Sequence, residues 1–148
     1  MSTPVLVRDR LTWLAYGHLA AFGYFFYGFG PVVPLLHEEL RTSRGVAGLH
    51  ATAFAVGGLV AATLMPHLVR RFGRQAVAWA GLAGLSAAAL GFWAAHALWM
   101  TLPLAAIASA FGALIVNIAL ATMSEHHGPA GPAAISEGNA VGAAVGLV

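Results

Sequence analysis

The chain has no cysteine, so disulfide frameworks, zinc–thiolate sites and thiol nucleophiles are excluded together. Charge is nearly as scarce. Asp, Glu, Lys and Arg make up 8% of the 148 residues, against roughly 25% in an average soluble domain. That is too little to coat a water-facing surface. No Gly-x-x-x-x-Gly-Lys-Ser/Thr phosphate loop, His-Glu-x-x-His helix or Gly-x-Ser-x-Gly elbow occurs, so the sequence offers neither an ATP site nor a catalytic constellation. Neither an enzyme nor a cofactor-binding chain is expected. A pI near 9.7 rests on a net charge of only +2 and does not argue for nucleic acid. What the chain does have is apolar surface: 59% of it is hydrophobic, with a mean hydropathy of +0.80. Disorder is excluded by that arithmetic, and an all-α integral membrane protein of several spans is what remains.

The few charges fall in clusters. Arg8, Asp9 and Arg10 precede Leu11, and the next are Glu38, Glu39, Arg41 and Arg44. A third cluster, Arg70, Arg71 and Arg74, follows an uncharged run from Gly45 to Val69. From Gln75 to Ser124 there is no Asp, Glu, Lys or Arg. That run is more than twice the roughly 20 residues one span needs, so it must fold back on itself. The turn is expected at Ala95-His96-Ala97-Leu98, with Pro103 early in the next helix, where a missing N–H is tolerated. Four spans result, at about 12–36, 45–67, 76–95 and 99–123, in a single transmembrane domain over 1–148. Ser43 is a candidate N-cap for the second helix. Trp13, and Trp93 with Trp99, sit where interfacial aromatics are expected.

Orientation follows from the arginines. With the N-terminus inside, Arg8, Arg10, Arg70, Arg71 and Arg74 are cytoplasmic and Arg41 and Arg44 are outside, the arrangement the positive-inside rule favours. A multi-pass protein of the plasma membrane with a cytoplasmic N-terminus is expected. Residues 133–148 form a partial fifth segment. At about 1.5 Å per residue it reaches roughly 24 Å, short of a hydrocarbon core of roughly 30 Å. On this reading the chain stops partway through a fifth helix.

The loop between the second and third helices reads Pro66-His67-Leu68-Val69-Arg70-Arg71-Phe72-Gly73-Arg74-Gln75. It resembles the signature of the major facilitator superfamily, G-x-L-x-D-R-x-G-R-R, between that family's second and third helices. Leu68, Arg71, Gly73 and Arg74 match; Pro66, Arg70 and Gln75 do not. Phe29-Gly30-Pro31-Val32-Val33-Pro34 is similar to the outer end of the family's first helix. The resemblance implies part of the N-terminal six-helix bundle of a secondary transporter that carries a small solute by alternating access, present as a truncated N-terminal portion. It implies a lipid bilayer and a small-molecule solute as partners, with a coupling proton as a further one. Because Arg70 stands where the family has Asp, the cytoplasmic latch built on that Asp is not expected in its usual form. The alternative reading is a complete small four-helix protein, acting as an oligomeric exporter or a non-transporting membrane subunit.

Polar groups inside spans are costly, and each is a functional candidate. His18 in the first span, Asn117 in the fourth, and Glu137 and Asn139 in the fifth lie at comparable depth from the cytoplasmic side. They suggest a polar patch facing a substrate or proton cavity; the competing reading is hydrogen bonding between neighbouring helices. For Glu137 a cavity position and an interfacial one beside a helix N-terminus are both open. Tyr16, Gly23, Tyr27 and Gly30 share one face of the first helix, so Tyr16 and Tyr27 are candidates either to line an aromatic cavity or to pack helices. His50 is expected at the interface. His126-His127 lack a third ligand, and no metal site is expected. Gly57/Ala61, Gly58/Ala62, Gly84/Ala88, Gly91/Ala95 and the series Gly138, Gly142, Gly146 are expected to be packing sites.

Overall fold

The computed structural model describes residues 6–39 and 43–147. Arg41 and Val148, on which part of the orientation and fifth-segment reading falls, lie outside the described residues. The described chain is α-helical, with no strand among those residues: α1 (Arg10–Glu39), α2 (Arg44–Phe72), α3 (Arg74–Ala94), α4 (Leu98–His127), a 3-10 turn at Gly128–Ala130, and α5 (Gly131–Gly146). Among the described residues, three runs are long and apolar enough to cross a membrane: Gly48–Phe72, Arg74–Ala94 and Leu98–Gly146, the last taking in both α4 and α5. None of these three runs lies in α1, which is 30 residues long and overall no less apolar than α2.

The helix ends have local causes. Ser43 is extended and its hydroxyl accepts from the Val46 N–H at 3.3 Å, the expected N-cap. At the other end of α2, Gly73 has φ +80°, and its N–H donates to the Val69 carbonyl at 2.9 Å. A side chain there would be strained, which is why a helix can stop and restart within one residue only at glycine. α3 ends at Ala95, whose N–H donates to the Phe92 carbonyl. α4 starts where the N–H groups of Met100 and Thr101 both reach Ala97. Trp93 and Trp99 flank this turn at 87% and 75% exposure. Pro103 falls in the second turn of α4, deeper than the open N–H groups of a helix start. α1 continues through Pro31 and Pro34.

The chain forms two compact units, Met1–Tyr27 with Val116–Val148, and Gly28–Ile115. In the second unit α4 is flanked by α2 and α3 through glycines. Gly57 lies against the Ala106 backbone, and a methyl on Gly58 would sit 3.2 Å from Ser109 Oγ. On the α3 side Gly84 faces the Phe111 ring, while methyls on Gly81 and Gly91 would meet Ile115 Cγ1 at 2.9 Å and Leu104 Cδ2 at 2.7 Å. Ala61, Ala88 and Ala95, one turn beyond their glycines, are buried. Phe29 stacks on Phe54 and meets Phe92 edge-on, with centroids 5.4 and 5.6 Å apart. Leu59, Leu64 and Leu90 point outward, at 50–69% exposure. That many exposed leucines are intolerable in water and ordinary against lipid tails.

His50 is buried, with Nε2 2.8 Å from Thr101 Oγ1 on α4, close to the α3–α4 turn. The Thr101 hydroxyl donates to the Leu98 carbonyl, so His50 supplies the proton of the His50–Thr101 bond. A hydrogen-bond partner on another helix offsets the cost of burying the ring.

In the first unit Ala15, Tyr16 and Leu19 of α1 pack with Ala119 and Met123 of α4 and Ala134 of α5. The glycine series of α5 seats on the α1 stripe. Methyls on Gly138 and Gly142 would meet Leu19 Cδ1 at 2.8 Å and the Leu19 carbonyl oxygen at 2.9 Å. Gly146 lies against Tyr27 and Gly23, and Gly23 against Gly142. The Gly23–Gly142 contact is backbone on backbone, as is that of Gly57 with Ala106. Adding side-chain volume at such a place forces the helices apart. Gly57→Leu is therefore expected to destabilise the protein by about 1–3 kcal/mol or more, whereas Gly48→Ala, in open space, is expected to leave the thermal midpoint in detergent unchanged or raised.

Candidate functional site

The densest polar arrangement lies in the first unit, where the segment before α1 meets the junction of α4 and α5. Asp9 caps α1: its Oδ1 accepts from the Thr12 N–H at 2.9 Å and from the Thr12 hydroxyl at 2.8 Å. The other oxygen, Oδ2, accepts from His126 Nε2 at 2.6 Å. Thr12 has one hydroxyl proton and gives it to Asp9. His127, with Nε2 2.9 Å from Thr12 Oγ1, is accordingly the donor in that contact. One residue earlier, the Arg8 guanidinium grips Glu137 of α5 in a two-pronged bond, Nε to Oε1 and Nη2 to Oε2, both 2.7 Å.

Three residues around α1's start thus hold three side chains from the end of α4 and from α5. The electrostatics agree. Thr12's backbone and hydroxyl, then His126, hold the Asp9 carboxyl well below the usual carboxylate range. The hydrogen bond and charge of Glu137 raise the already high Arg8 value.

Of the residues singled out in the sequence, Glu137 and Tyr16 belong to this neighbourhood. Glu137 is paired and one-third exposed, and Tyr16 is buried with its ring against Gly138. The Tyr16 hydroxyl has no hydrogen-bond partner among the described residues. His18 is buried, with Nδ1 2.8 Å from the Leu14 carbonyl, which can only accept. Nδ1 therefore carries the proton, and in the neutral ring Nε2 is the acceptor. Asn117 and Asn139 lie on exposed faces of α4 and α5 and are not gathered to the Arg8–Glu137 pair. Tyr27 is half exposed and packs against Gly146.

Sequence reasoning missed Arg8, Asp9, Thr12 and the two histidines as one network. Two signals were present. Asp9-x-x-Thr12 is a helix-cap pattern, and the topology that put Arg8 inside put the start of α5 on the same side, so their opposite charges could meet. In the signature loop, in the other unit, Leu68 is half buried, Gly73 makes the turn, and the Arg71 guanidinium lies 5.4 Å from the Phe72 ring centroid. Arg74 opens α3. No cluster of three or more His, Cys, Asp or Glu side chains suited to a metal occurs among the described residues.

Continuous helices with three membrane-crossing runs, glycine-mediated packing and outward-facing leucines define a multi-pass membrane protein of the all-α class. Its family follows from comparison: the sequence model of the Major Facilitator Superfamily matches residues 16–148, and the chain belongs to that superfamily, a family of transporters. No curated protein and no solved structure matches it.

Asp9 generates a pH prediction. Its folded-state pKa is depressed, so its cap is fully present above the ordinary carboxylate value of 3.8 and is lost only as pH falls below that through the depressed value. Asp9→Ala is expected to lower the thermal midpoint in detergent at pH 7, and the gap from the unsubstituted protein is expected to narrow toward pH 3.

Proposed function

We propose that this chain works in a secondary carrier that moves a small solute across the plasma membrane by alternating access. The observation that carries the proposal is the family match over residues 16–148, nearly the whole chain. In this reading α1 is a span alongside α2, α3 and α4. Its 30 residues exceed the roughly 20 a crossing requires, and it carries His18 as a polar group suited to a carrier's interior. The N-terminus, the α2–α3 turn and the α4–α5 junction face the cytoplasm, which the arginine distribution supports.

The solute-facing candidates are His18 with its acceptor nitrogen, Asn117, Asn139 and Tyr27. Exposed amides on membrane helices are expensive against lipid and reasonable against a hydrated path. Glu137 and Tyr16 are assigned to the α1–α5 contact, and a coupling proton acts by neutralising Glu137 against Arg8. No catalytic step and no cofactor enters this reading.

The test is efflux from liposomes containing the purified chain and loaded with a defined mixture of sugars, amino acids and organic acids, followed by mass spectrometry. Selective, saturable loss of one solute class relative to protein-free liposomes is expected, and Asn117→Ala should slow it. Equal retention of every solute would contradict carriage by this chain.

A further inference from the structure

The α1–α5 contact buries a hydroxyl that it does not satisfy. Tyr16 is 1% exposed, and its oxygen has no hydrogen-bond partner among the described residues. Its packing neighbours Ala15, Leu19, Ala119, Met123 and Ala134 are apolar, a setting that phenylalanine would suit equally well. A hydroxyl left dry in such a place costs the full desolvation of the group. Folded interiors therefore give buried polar atoms a protein partner or a water.

The position of the hydroxyl decides between them. Side chains on an α-helix lean toward its N-terminus, so Tyr16 reaches back along α1 toward Arg8. Its ring lies against Gly138, where an added methyl would sit 3.0 and 3.1 Å from Cδ1 and Cε1, and Glu137 is the adjoining residue of α5. Glu137 and Arg8 both act electrostatically on the hydroxyl. The Tyr16 oxygen thus stands beyond direct bonding distance of the Arg8–Glu137 pair but within its field, the spacing that a bridging water fills. The pair has capacity for one. A carboxylate offers about four lone-pair sites, and the Arg8 fork takes one on each oxygen of Glu137. The guanidinium also has N–H donors beyond the two in the fork. Hydroxyl, carboxylate and guanidinium together supply the roughly two to four polar partners that a buried water needs.

We infer that a water molecule is bound between the Tyr16 hydroxyl and the Glu137 carboxylate. Tyr16 donates to the water and the water donates to Glu137, so the hydroxyl joins the network that holds α1 to α5. The apolar neighbours select for a neutral molecule, since they could not replace the hydration shell of an ion. The site concerns the α1–α5 contact and does not depend on solute carriage.

The experiment combines three readouts on the detergent-purified chain. Radiolytic footprinting in isotopically labelled water, followed by mass spectrometry, is expected to put labelled oxygen on Tyr16 despite its burial, at a rate comparable to that of Tyr24, which is 66% exposed. Tyr24→Phe with Tyr27→Phe leaves Tyr16 as the sole tyrosine, and ultraviolet resonance Raman of that variant is expected to show a hydrogen-bonded phenol. Tyr16→Phe is expected to lower the thermal midpoint by about 2–4 °C, the loss of one satisfied hydrogen bond. A non-bonded phenol, or a midpoint that rises in Tyr16→Phe, would reveal a dry hydroxyl and overturn the assignment. So would a bonded phenol that takes up no labelled oxygen, which would mark a direct protein partner. Because none of these readouts is transport, a failed efflux assay leaves the water site standing, and its own failure leaves carriage standing.

Discussion

Lipid tails are as apolar as leucine, so nothing squeezes these helices together as water would. The constraint on which the structure depends is therefore how closely backbones can approach. Glycine sets that limit at several helix contacts: Gly57 against the Ala106 backbone, and Gly142 against the backbones of Leu19 and Gly23. Each contact gathers many small dispersion gains that a single methyl group would abolish. The same constraint explains why large side chains such as Leu59 and Leu90 point outward. Their burial would gain little in a bilayer, and their bulk would hold the helices apart.

Polar groups serve a different purpose in such a medium. Where packing is set by shape alone, a helix can slide or rotate with modest loss, and a directed hydrogen bond removes that freedom. His50 on Thr101 pins α2 to α4. The grip of Arg8 on Glu137, with Asp9 and Thr12 held by His126 and His127, fixes α1's start against the α4–α5 junction. These contacts place polar side chains where neither lipid nor a missing partner penalises them. They also leave His18, Asn117 and Asn139 as the polar residues outside that network that the carrier reading draws on.

Much of the helical plan was readable from the sequence because its causes are local. The uncharged run from Gln75 to Ser124 has to turn, and it turns at Ala95–Ala97. Ser43 caps its helix, and Gly73 takes the conformation that a side chain would resist. The glycine series at 138, 142 and 146 announced a packing face, and the α1 stripe of Tyr16, Gly23 and Tyr27 receives it. The polar sites were less legible, for a geometric reason. Depth in the membrane can be counted along a chain, but each residue turns the helix by about 100°, so equal depth does not mean a shared face. Asn117 and Asn139 match His18 in depth while lying on exposed faces. Arg8 and Glu137 are 129 positions apart, and His50 and Thr101 are 51 apart; no local pattern joins such pairs.

On the carrier reading these helices thread a bilayer, with the α2–α3 and α3–α4 turns on opposite sides. The absence of native cysteine allows a direct measurement: Gln75→Cys in the α2–α3 region and His96→Cys in the α3–α4 turn, each the chain's sole thiol, probed in intact cells with a membrane-impermeant maleimide. The account predicts labelling of the position-96 variant from outside, and labelling of the position-75 variant only after the membrane is opened. Equal labelling of both thiols before permeabilisation would contradict it.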